Sequence, residues 1–135
     1  MDTVKQHLIK QLPNITANTE ITAAIAELKK YQLLGAPVLG NNRELIGFIS
    51  EHELLKPMLN NSYFCDGAIK VKDLMRTDVI AIDANMSIAD VAERMLQAQP
   101  KNYPVVESNK VIGLINRSQV LSALAASSLR CQTAS

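Results

Sequence analysis

The stretch IGFISEHELL at residues 46–55 returns as IGLINRSQVL at residues 112–121, and this pair of stretches decides the fold. Each begins with an apolar run that is typical of a strand and then changes to a sequence that favours a helix. Farther upstream the correspondence continues at a displacement of 67 residues, as it does between Pro37 and Pro104. The sequence therefore predicts two tandem repeats of one supersecondary unit.

Each repeat has the predicted element order β-α-β-β-α. The apolar residues of its first helix recur at helical spacing, and two short strands form a hairpin. A strand opens each repeat and a helix closes it, at residues 14–17 and 51–59 in the first repeat and at residues 79–82 and 117–126 in the second. The hairpins are predicted to start at Pro37 and Pro104, because a proline at the first position leaves no ladder donor missing.

Local signals place the start of the first helix in each repeat. Asn18 or Thr19 is expected to cap this helix in the first repeat. Ser87 with Asp90 three residues later resembles a capping box in the second repeat.

The repeats span about residues 4–59 and 70–126, with residues 60–69 as a linker and residues 127–135 as a tail. One repeat alone is too small to bury both faces of its sheet. We therefore expect a single mixed α/β (α+β) module in which the repeats pack sheet to sheet about a pseudo-two-fold axis.

Composition excludes several classes of protein. Hydrophobic residues make up 47% of the 135 residues and charged residues 20%, which is typical of a globular domain. The formal net charge is +1 and the basic residues are scattered, so we expect no nucleic-acid partner. No apolar run is long enough to cross a membrane and no signal peptide is recognisable, and the distant Cys65 and Cys131 favour a reduced, cytoplasmic protein.

The sequence contains no pattern that indicates catalysis. His7 and His52 have no partners at metal-ligand spacing, and Cys65 has no histidine nearby in sequence. Gly47 and Gly113 lie at strand positions rather than in a phosphate-binding loop, so another backbone or a ligand is expected to approach them closely. We predict a binding protein, without metal or catalytic residues.

Three further motifs carry a resemblance to a known family: VKDLM at residues 71–75, APV at residues 36–38 and YPV at residues 103–105. Their order and spacing resemble those of the tandem cystathionine-β-synthase-type (CBS) domain pair, or Bateman module, over residues 4–126. The resemblance implies a stand-alone regulatory module that binds an adenosine-containing ligand (AMP, ADP, ATP or S-adenosylmethionine). It also implies a disc-shaped homodimer that contacts itself through the helices after the hairpins, and a regulated partner protein.

The resemblance assigns ligand-binding residues to two clefts. In the first set, Ser50 and Glu53 would hold the ribose hydroxyls, and Lys101 would face the phosphates. The remaining residues of this set would enclose the base. The base-enclosing members of this set are Ile80, Ile82, Tyr103 and Pro104. The second set comprises Asn116 and Gln119 with Ile15, Thr16, Ala36 and Pro37.

The chemistry of the two sets favours the first. A carboxylate such as Glu53 accepts charge-assisted hydrogen bonds of about 1.5–3 kcal/mol, whereas the neutral amide of Gln119 makes bonds of about 0.5–1.5 kcal/mol. Both Ser50 with Glu53 and Asn116 with Gln119 also have the spacing of a helix capping box. A second hypothesis is therefore an interaction scaffold whose clefts no longer bind a ligand.

Overall fold

The computed structural model describes residues 2–60, 69–97 and 102–134, with side chains up to residue 128. Four helices and five strands lie within these ranges. In chain order they are α1 (Ile21–Tyr31), β1 (Gly35–Leu39), β2 (Leu45–Ser50), α2 (Glu51–Leu59), β3 (Ile82–Asp83), α3 (Ile88–Gln97), β4 (Asn102–Glu107), β5 (Lys110–Asn116) and α4 (Arg117–Ala134). Two short 3-10 helices, Val4–Gln6 and Val71–Asp73, lie at the start of the two repeats. The mixed α/β class predicted from the sequence is confirmed.

The chain forms two compact units that do not coincide with the two sequence repeats. Unit A consists of Gln11–Val79 and Ser108–Val111, and unit B consists of Met1–Lys10, Ile80–Glu107 and Ile112–Ser135. Each unit contains the body of one repeat together with the leading segment of the other repeat.

Unit A is built on an antiparallel hairpin covered by helices. β1 pairs with β2 in a register that places Gly35 opposite Ser50 and Val38 opposite Gly47. Every residue of β1 is buried, which is consistent with its continuous apolar sequence. The buried core of unit A consists of Ile15, Ile21, Ala24, Leu28, Ala36, Val38, Ile49, Leu54 and Val71.

Unit B has a three-stranded sheet in the order β3-β4-β5. β3 runs parallel to β4, with Ile82 opposite Val105, and α3 makes the crossover between them. The order β3-α3-β4-β5-α4 is the predicted β-α-β-β-α pattern. Its buried core consists of Val4, Ile82, Ala84, Ile88, Val91, Tyr103, Val105, Ile115, Val120 and Ala123.

Two docking segments, residues 2–9 and residues 69–76, complete the units. Each segment places a fully buried valine, Val4 or Val71, into the core of the unit that holds the other repeat. In unit B the backbone bonds of residues 2–9 are Val4 N to Met86 O (2.9 Å), Lys5 N to Ala84 O (3.1 Å), Ile9 N to Leu114 O (2.8 Å) and Leu114 N to Ile9 O (3.0 Å).

The same bonds recur in unit A at equivalent positions. They are Val71 N to Thr19 O (2.8 Å), Lys72 N to Ala17 O (2.9 Å), Phe48 N to Arg76 O (2.8 Å) and Arg76 N to Phe48 O (2.8 Å). The repeats have therefore exchanged their leading segments, because each segment pairs with the hairpin and helix of the other repeat.

Two glycines permit this docking. A Cβ atom on Gly113 would lie 2.6 Å from the Ile9 carbonyl oxygen, and one on Gly47 would lie 2.9 Å from the Arg76 carbonyl oxygen. Both distances are too short for a real side chain. The predicted close approach to these glycines is confirmed, and the approaching group is the backbone of a docking segment.

The leading strands were predicted less well than the hairpins. Residues 14–17 form no strand, so the first repeat lacks the first element of the predicted pattern. The carbonyl of Ile15 accepts a single bond from Leu39 N (2.9 Å), which is too little pairing for a ladder. In the second repeat the strand is Ile82–Asp83 rather than residues 79–82.

The predicted cap of α1 is also wrong. The N-cap is Glu20, not Asn18 or Thr19. The Thr19 hydroxyl oxygen instead accepts a bond from Thr16 N (2.9 Å), within a turn that Thr19 N closes on Thr16 O (3.1 Å). The Thr19 hydroxyl, two residues before the first residue of α1, is thus already used in this turn.

The cap predicted for α3 is confirmed, because Asp90 N donates to Ser87 Oγ (3.1 Å). The closing helix of the first repeat has the predicted bounds, whereas α4 continues from the predicted residue 126 to Ala134. Residues 61–68, most of the predicted linker, lie outside the described residues.

The hairpin strands begin two residues before their prolines, at Gly35 and Asn102, and not at the prolines as predicted. Pro37 is tolerated inside β1 because it lies opposite Phe48. The backbone N–H and C=O of Phe48 both bond to Arg76 on the other side of β2. The C=O of Phe48 therefore has a partner although Pro37 has no N–H to donate.

Candidate functional site

Ser50 and Glu53 lie where β2 passes into α2, and they form a capping box. Glu53 Oε1 accepts bonds from the Ser50 hydroxyl (2.7 Å) and from Ser50 N (3.0 Å). The pair is half-buried, and within the described ranges the second carboxylate oxygen, Oε2, has no hydrogen-bond partner. The cap therefore fixes the carboxylate and still leaves one acceptor oxygen for another molecule.

Asn116 and Gln119 occupy the equivalent junction between β5 and α4. Asn116 N donates to Gln119 Oε1, and Gln119 N donates to Asn116 Oδ1, each at 3.1 Å. Because backbone N–H groups only donate, both amide oxygens must face the backbone, and the remaining groups of these side chains are NH2 donors. This junction thus offers donors where the Glu53 junction offers a carboxylate.

The other members of the first set differ in exposure. The side chains of Ile82 and Tyr103 belong to the unit B core and are fully buried, and Pro104 is also buried. Ile80 is 42% exposed and so can contact a ligand directly. Lys101 lies outside the described residues.

The hydroxyl group of Tyr103 is unusual for a core side chain. It is buried and has no hydrogen-bond partner within the described part of the chain. Burial raises the pKa of Tyr103 above its ordinary value, and the positive charge of Arg94 opposes this shift. The phenol is therefore neutral at physiological pH, and its ring packs in the unit B core.

Members of the second set are mostly covered. Ile15 and Ala36 are fully buried in the unit A core, and Pro37 is buried beside them in β1. Thr16 is half-buried, and its hydroxyl lies 3.2 Å from the Thr19 hydroxyl. Each predicted set contains residues of both units. In the second set, Asn116 and Gln119 belong to unit B and the other four residues belong to unit A.

An apolar groove that the sequence did not indicate lies between α1 and α2 of unit A. Its volume is about 470 Å³. Leu55, which is 70% exposed, lies at the groove, and Leu59 at the end of the same helix is 83% exposed. The groove is lined by Ile25, Leu28, Lys29, Glu51, His52, Leu54, Leu55 and Met58. Leu55 and Leu59, the leucines that the closing helix α2 leaves exposed, are the feature of the sequence that could have indicated this surface.

Neither a metal site nor a membrane-spanning helix is found in the described ranges. No group of three or more His, Cys, Asp or Glu side chains there could hold a metal ion. No helix among those residues is long and apolar enough to cross a membrane.

Comparison with known proteins identifies the family. The CBS domain model matches residues 4–60 and 71–126. The chain belongs to the CBS-domain family, as a tandem pair of these domains.

Among its relatives, CBS domain-containing protein YhcV of Bacillus subtilis is 24% identical, over 85% of this chain and 80% of YhcV. Uncharacterized protein MJ1232 of Methanocaldococcus jannaschii is 30% identical, over 84% of this chain and 36% of MJ1232. The chain thus spans most of the first relative and little more than a third of the second.

Solved structures share the fold at low sequence identity. Arabidopsis thaliana CBSX2, in a complex with AMP, matches 93% of this chain and is itself covered to 98%, with a TM-score of 0.81 and 24% identity. The CBS domain pair of MJ0100, in a complex with 5'-methylthioadenosine and S-adenosyl-L-methionine, has a TM-score of 0.79 and 20% identity, with 94% of this chain and 98% of that chain covered. A putative acetoin utilization protein (AcuB) of Vibrio cholerae has a TM-score of 0.83 and 20% identity, with 100% and 98% covered.

Proposed function

We propose that this chain is a regulatory module that binds an adenosine-containing ligand, AMP, ADP, ATP or S-adenosylmethionine, and transmits its presence to a partner protein. The observation that carries the proposal is the half-buried Glu53 carboxylate, which the Ser50 cap holds in place with Oε2 unpartnered among the described residues. The complexes of CBSX2 with AMP and of the MJ0100 pair with S-adenosyl-L-methionine support the ligand class.

In this proposal Ser50 and Glu53 bind the ribose hydroxyls, and Ile80 packs against the base. Pro104 and the buried Ile82 and Tyr103 are the further members of the base-binding set. The second set, around Asn116 and Gln119, binds adenosine weakly or not at all, since its amide donors do not replace a carboxylate that accepts from two hydroxyls.

The ligand would act by a population shift. A ligand that binds one arrangement of the module better than the others increases the population of that arrangement, and a partner protein can recognise it. No catalytic step is part of this function.

Isothermal titration of the purified chain with AMP, ADP, ATP and S-adenosylmethionine tests the proposal. Binding of at least one of them with a stoichiometry near one site per chain is expected. Absence of heat with all four at millimolar concentration, in protein shown to be folded, would contradict it.

Glu53→Gln is expected to weaken binding of the preferred ligand about tenfold. The substitution replaces charge-assisted hydrogen bonds by neutral ones, a difference of about 1.4 kcal/mol. The cap is expected to survive, because Gln serves as well as Glu at the third position of a capping box. Titration gives the affinity, and the thermal midpoint verifies the cap.

Gln119→Ala is the matched control for this variant. It removes the side chain at the equivalent position of α4, and we expect it to destabilise the chain by up to about 1 kcal/mol through the lost cap. Ligand affinity should stay within about twofold of wild type. An equal loss of affinity in both variants would show that the loss does not depend on the Glu53 carboxylate.

We also propose that the chain forms a homodimer through the surface around the α1–α2 groove. Exposed Leu55 and the apolar groove beside it are consistent with a self-complementary contact, in which a leucine of one chain enters the groove of the other. Sedimentation is expected to give twice the 14.8 kDa chain mass.

Leu55→Asp is expected to shift this dimer to monomer, because a charge placed in an apolar interface loses its hydration without gaining a partner. Leu34→Asp is the control, since Leu34 is also exposed (57%) and does not line the groove. A monomeric wild-type chain would refute the dimer, and dissociation by both variants would refute this surface.

The alternative function is an interaction scaffold that binds no small ligand. The caps favour it, because at both junctions a side-chain oxygen accepts a bond from a backbone N–H at the start of the helix. A dimer that binds a partner protein, gives no titration heat and shows no ligand-induced rise in melting temperature would support this alternative.

A further inference from the structure

Two opposite charges lie at one end of the α1–α2 groove in unit A. Lys29 in the last turn of α1 and Glu51, the first residue of α2, both line the groove and are exposed. The chain brings them to the same end, because α1 ends shortly before Gly35, which lies opposite Ser50 in the hairpin. Glu51 follows directly, and its N–H donates to Leu34 O (2.9 Å).

Neither of these charged side chains is used within its own chain. Among the described residues, the Lys29 ammonium and the Glu51 carboxylate form no ion pair and no side-chain hydrogen bond. The groove therefore presents one cation and one anion, on two different helices, to whatever packs against it.

This arrangement of charges is self-complementary. In a two-fold symmetric contact both chains use the same surface, so that if residue i contacts the partner's residue j, then j also contacts the partner's i. A two-fold axis that runs along the groove places α1 of one chain against α2 of the other and keeps each residue at its own end. Lys29 of each chain then faces the partner's Glu51, which gives two opposite-charge pairs.

The corresponding face of unit B, formed by α3 and α4, has a different charge pattern. The repeat places Leu96 at the position of Lys29 and Arg117 at the position of Glu51. Leu96 is 88% exposed, and the first turn of α4 contains no acidic residue. If the groove packed in the same way against the α3–α4 face of a second copy, Lys29 would face Arg117 and be repelled. Glu51 would face Leu96 and lose hydration without gaining a partner.

We propose that the α1–α2 groove pairs with the α1–α2 groove of a second copy and rejects the α3–α4 face, and that two Lys29–Glu51 ion pairs make this selection. This inference rests on the homodimer proposed above and names the residues that decide which faces meet. The apolar groove with Leu55 provides affinity. The ion pairs provide specificity, because charges at an interface discriminate between partners more than they strengthen binding.

Reversal of either charge is expected to weaken the dimer. Lys29→Glu sets two carboxylates against each other in both pairs, and Glu51→Lys does the same with two ammonium groups. Each variant should raise the dimer dissociation constant at least about tenfold in sedimentation at low salt, and less in about 1 M salt, where charges are screened. Lys30→Glu is the matched control, since Lys30 is exposed and does not line the groove, and its dissociation constant should stay within about twofold of wild type.

An equimolar mixture of the two variants gives the sharpest test. In a heterodimer of Lys29→Glu with Glu51→Lys both pairs again join opposite charges, although each variant repels itself. Capture through a C-terminal affinity tag on one variant should retain the other, and the mixture should sediment as a dimer. Such recovery also shows that both variants fold. A mixture that stays monomeric, with both variants shown to be folded by thermal unfolding, would overturn the proposal.

The wild-type chain and Leu55→Asp separate failure of these ion pairs from failure of the dimer. A monomeric wild type refutes both. A dimer that Leu55→Asp dissociates and that neither charge reversal weakens refutes the ion pairs alone. A tighter dimer in Lys29→Glu would show that this position meets Arg117 of the α3–α4 face, and the proposed selection would be wrong. All these measurements are made without ligand, so their outcome does not depend on the proposed binding of an adenosine-containing ligand.

Discussion

Gly113→Ala is expected to lower the free energy of unfolding by about 3 kcal/mol, a large share of the 5–15 kcal/mol typical of a domain. The new methyl group would lie 2.6 Å from the Ile9 carbonyl oxygen and about 3 Å from the Leu8 side chain. The carbonyl belongs to a paired backbone and cannot rotate away. The substitution must therefore displace residues 2–9 or distort β5.

Gly40→Ala serves as the control for this prediction. The three atoms nearest to a Cβ there all belong to the exposed Glu44 side chain, which can rotate aside with loss of its bond from Asn42 N (3.0 Å). Its expected cost is within about 1 kcal/mol. Urea unfolding of both variants gives the comparison, and a loss below about 1 kcal/mol for Gly113→Ala would show that the close approach is not real.

Removal of residues 2–9 is expected to destabilise unit B by at least about 4 kcal/mol, although these residues begin the first repeat. Burial of Val4 contributes about 2 kcal/mol, and each lost backbone bond contributes about 0.5–1 kcal/mol. Leu8, which packs against the same core, would add to the loss.

Amide exchange locates the damage caused by this deletion. Protection of Leu114 and Ala84 in unit B should fall first, while Leu39 and Arg76 in unit A keep most of theirs. Greater loss in unit A would contradict the exchange of leading segments, because it would mean that residues 2–9 support their own repeat.

The sequence predicted the hairpins and the closing helices well because their signals are local. An apolar run, a turn and a capping pattern lie within about ten residues of each other at Ser50, before the closing helix α2. At Ser87, before α3, one hydrogen bond of the predicted capping box forms. The leading strand at residues 14–17 failed for the opposite reason. Its pairing depends on Leu39 in another part of the chain, and only one bond forms.

The candidate site shows the same difference between features that the sequence indicates and features that depend on packing. The contrast between the carboxylate of Glu53 and the amide of Gln119 is a property of the residues, and it was evident from the sequence. The use of both Asn116 and Gln119 oxygens by backbone N–H groups, and the full burial of Tyr103, depend on packing and were visible only in the structure.

The sequence by itself determined that the chain is a doubled module of the CBS-domain family, because the repeat, the hydrophobic spacing and the family motifs are all features of residue order. Only the tertiary structure decided which segment completes which repeat. Val4 and Val71 stand in the same sequence context and make equivalent bonds, so nothing local distinguishes docking on their own repeat from docking on the other one. Long-range pairing with β2 and β5 decides which repeat each segment docks on. On these strands Gly47 and Gly113 leave room for the backbone of the docking segment.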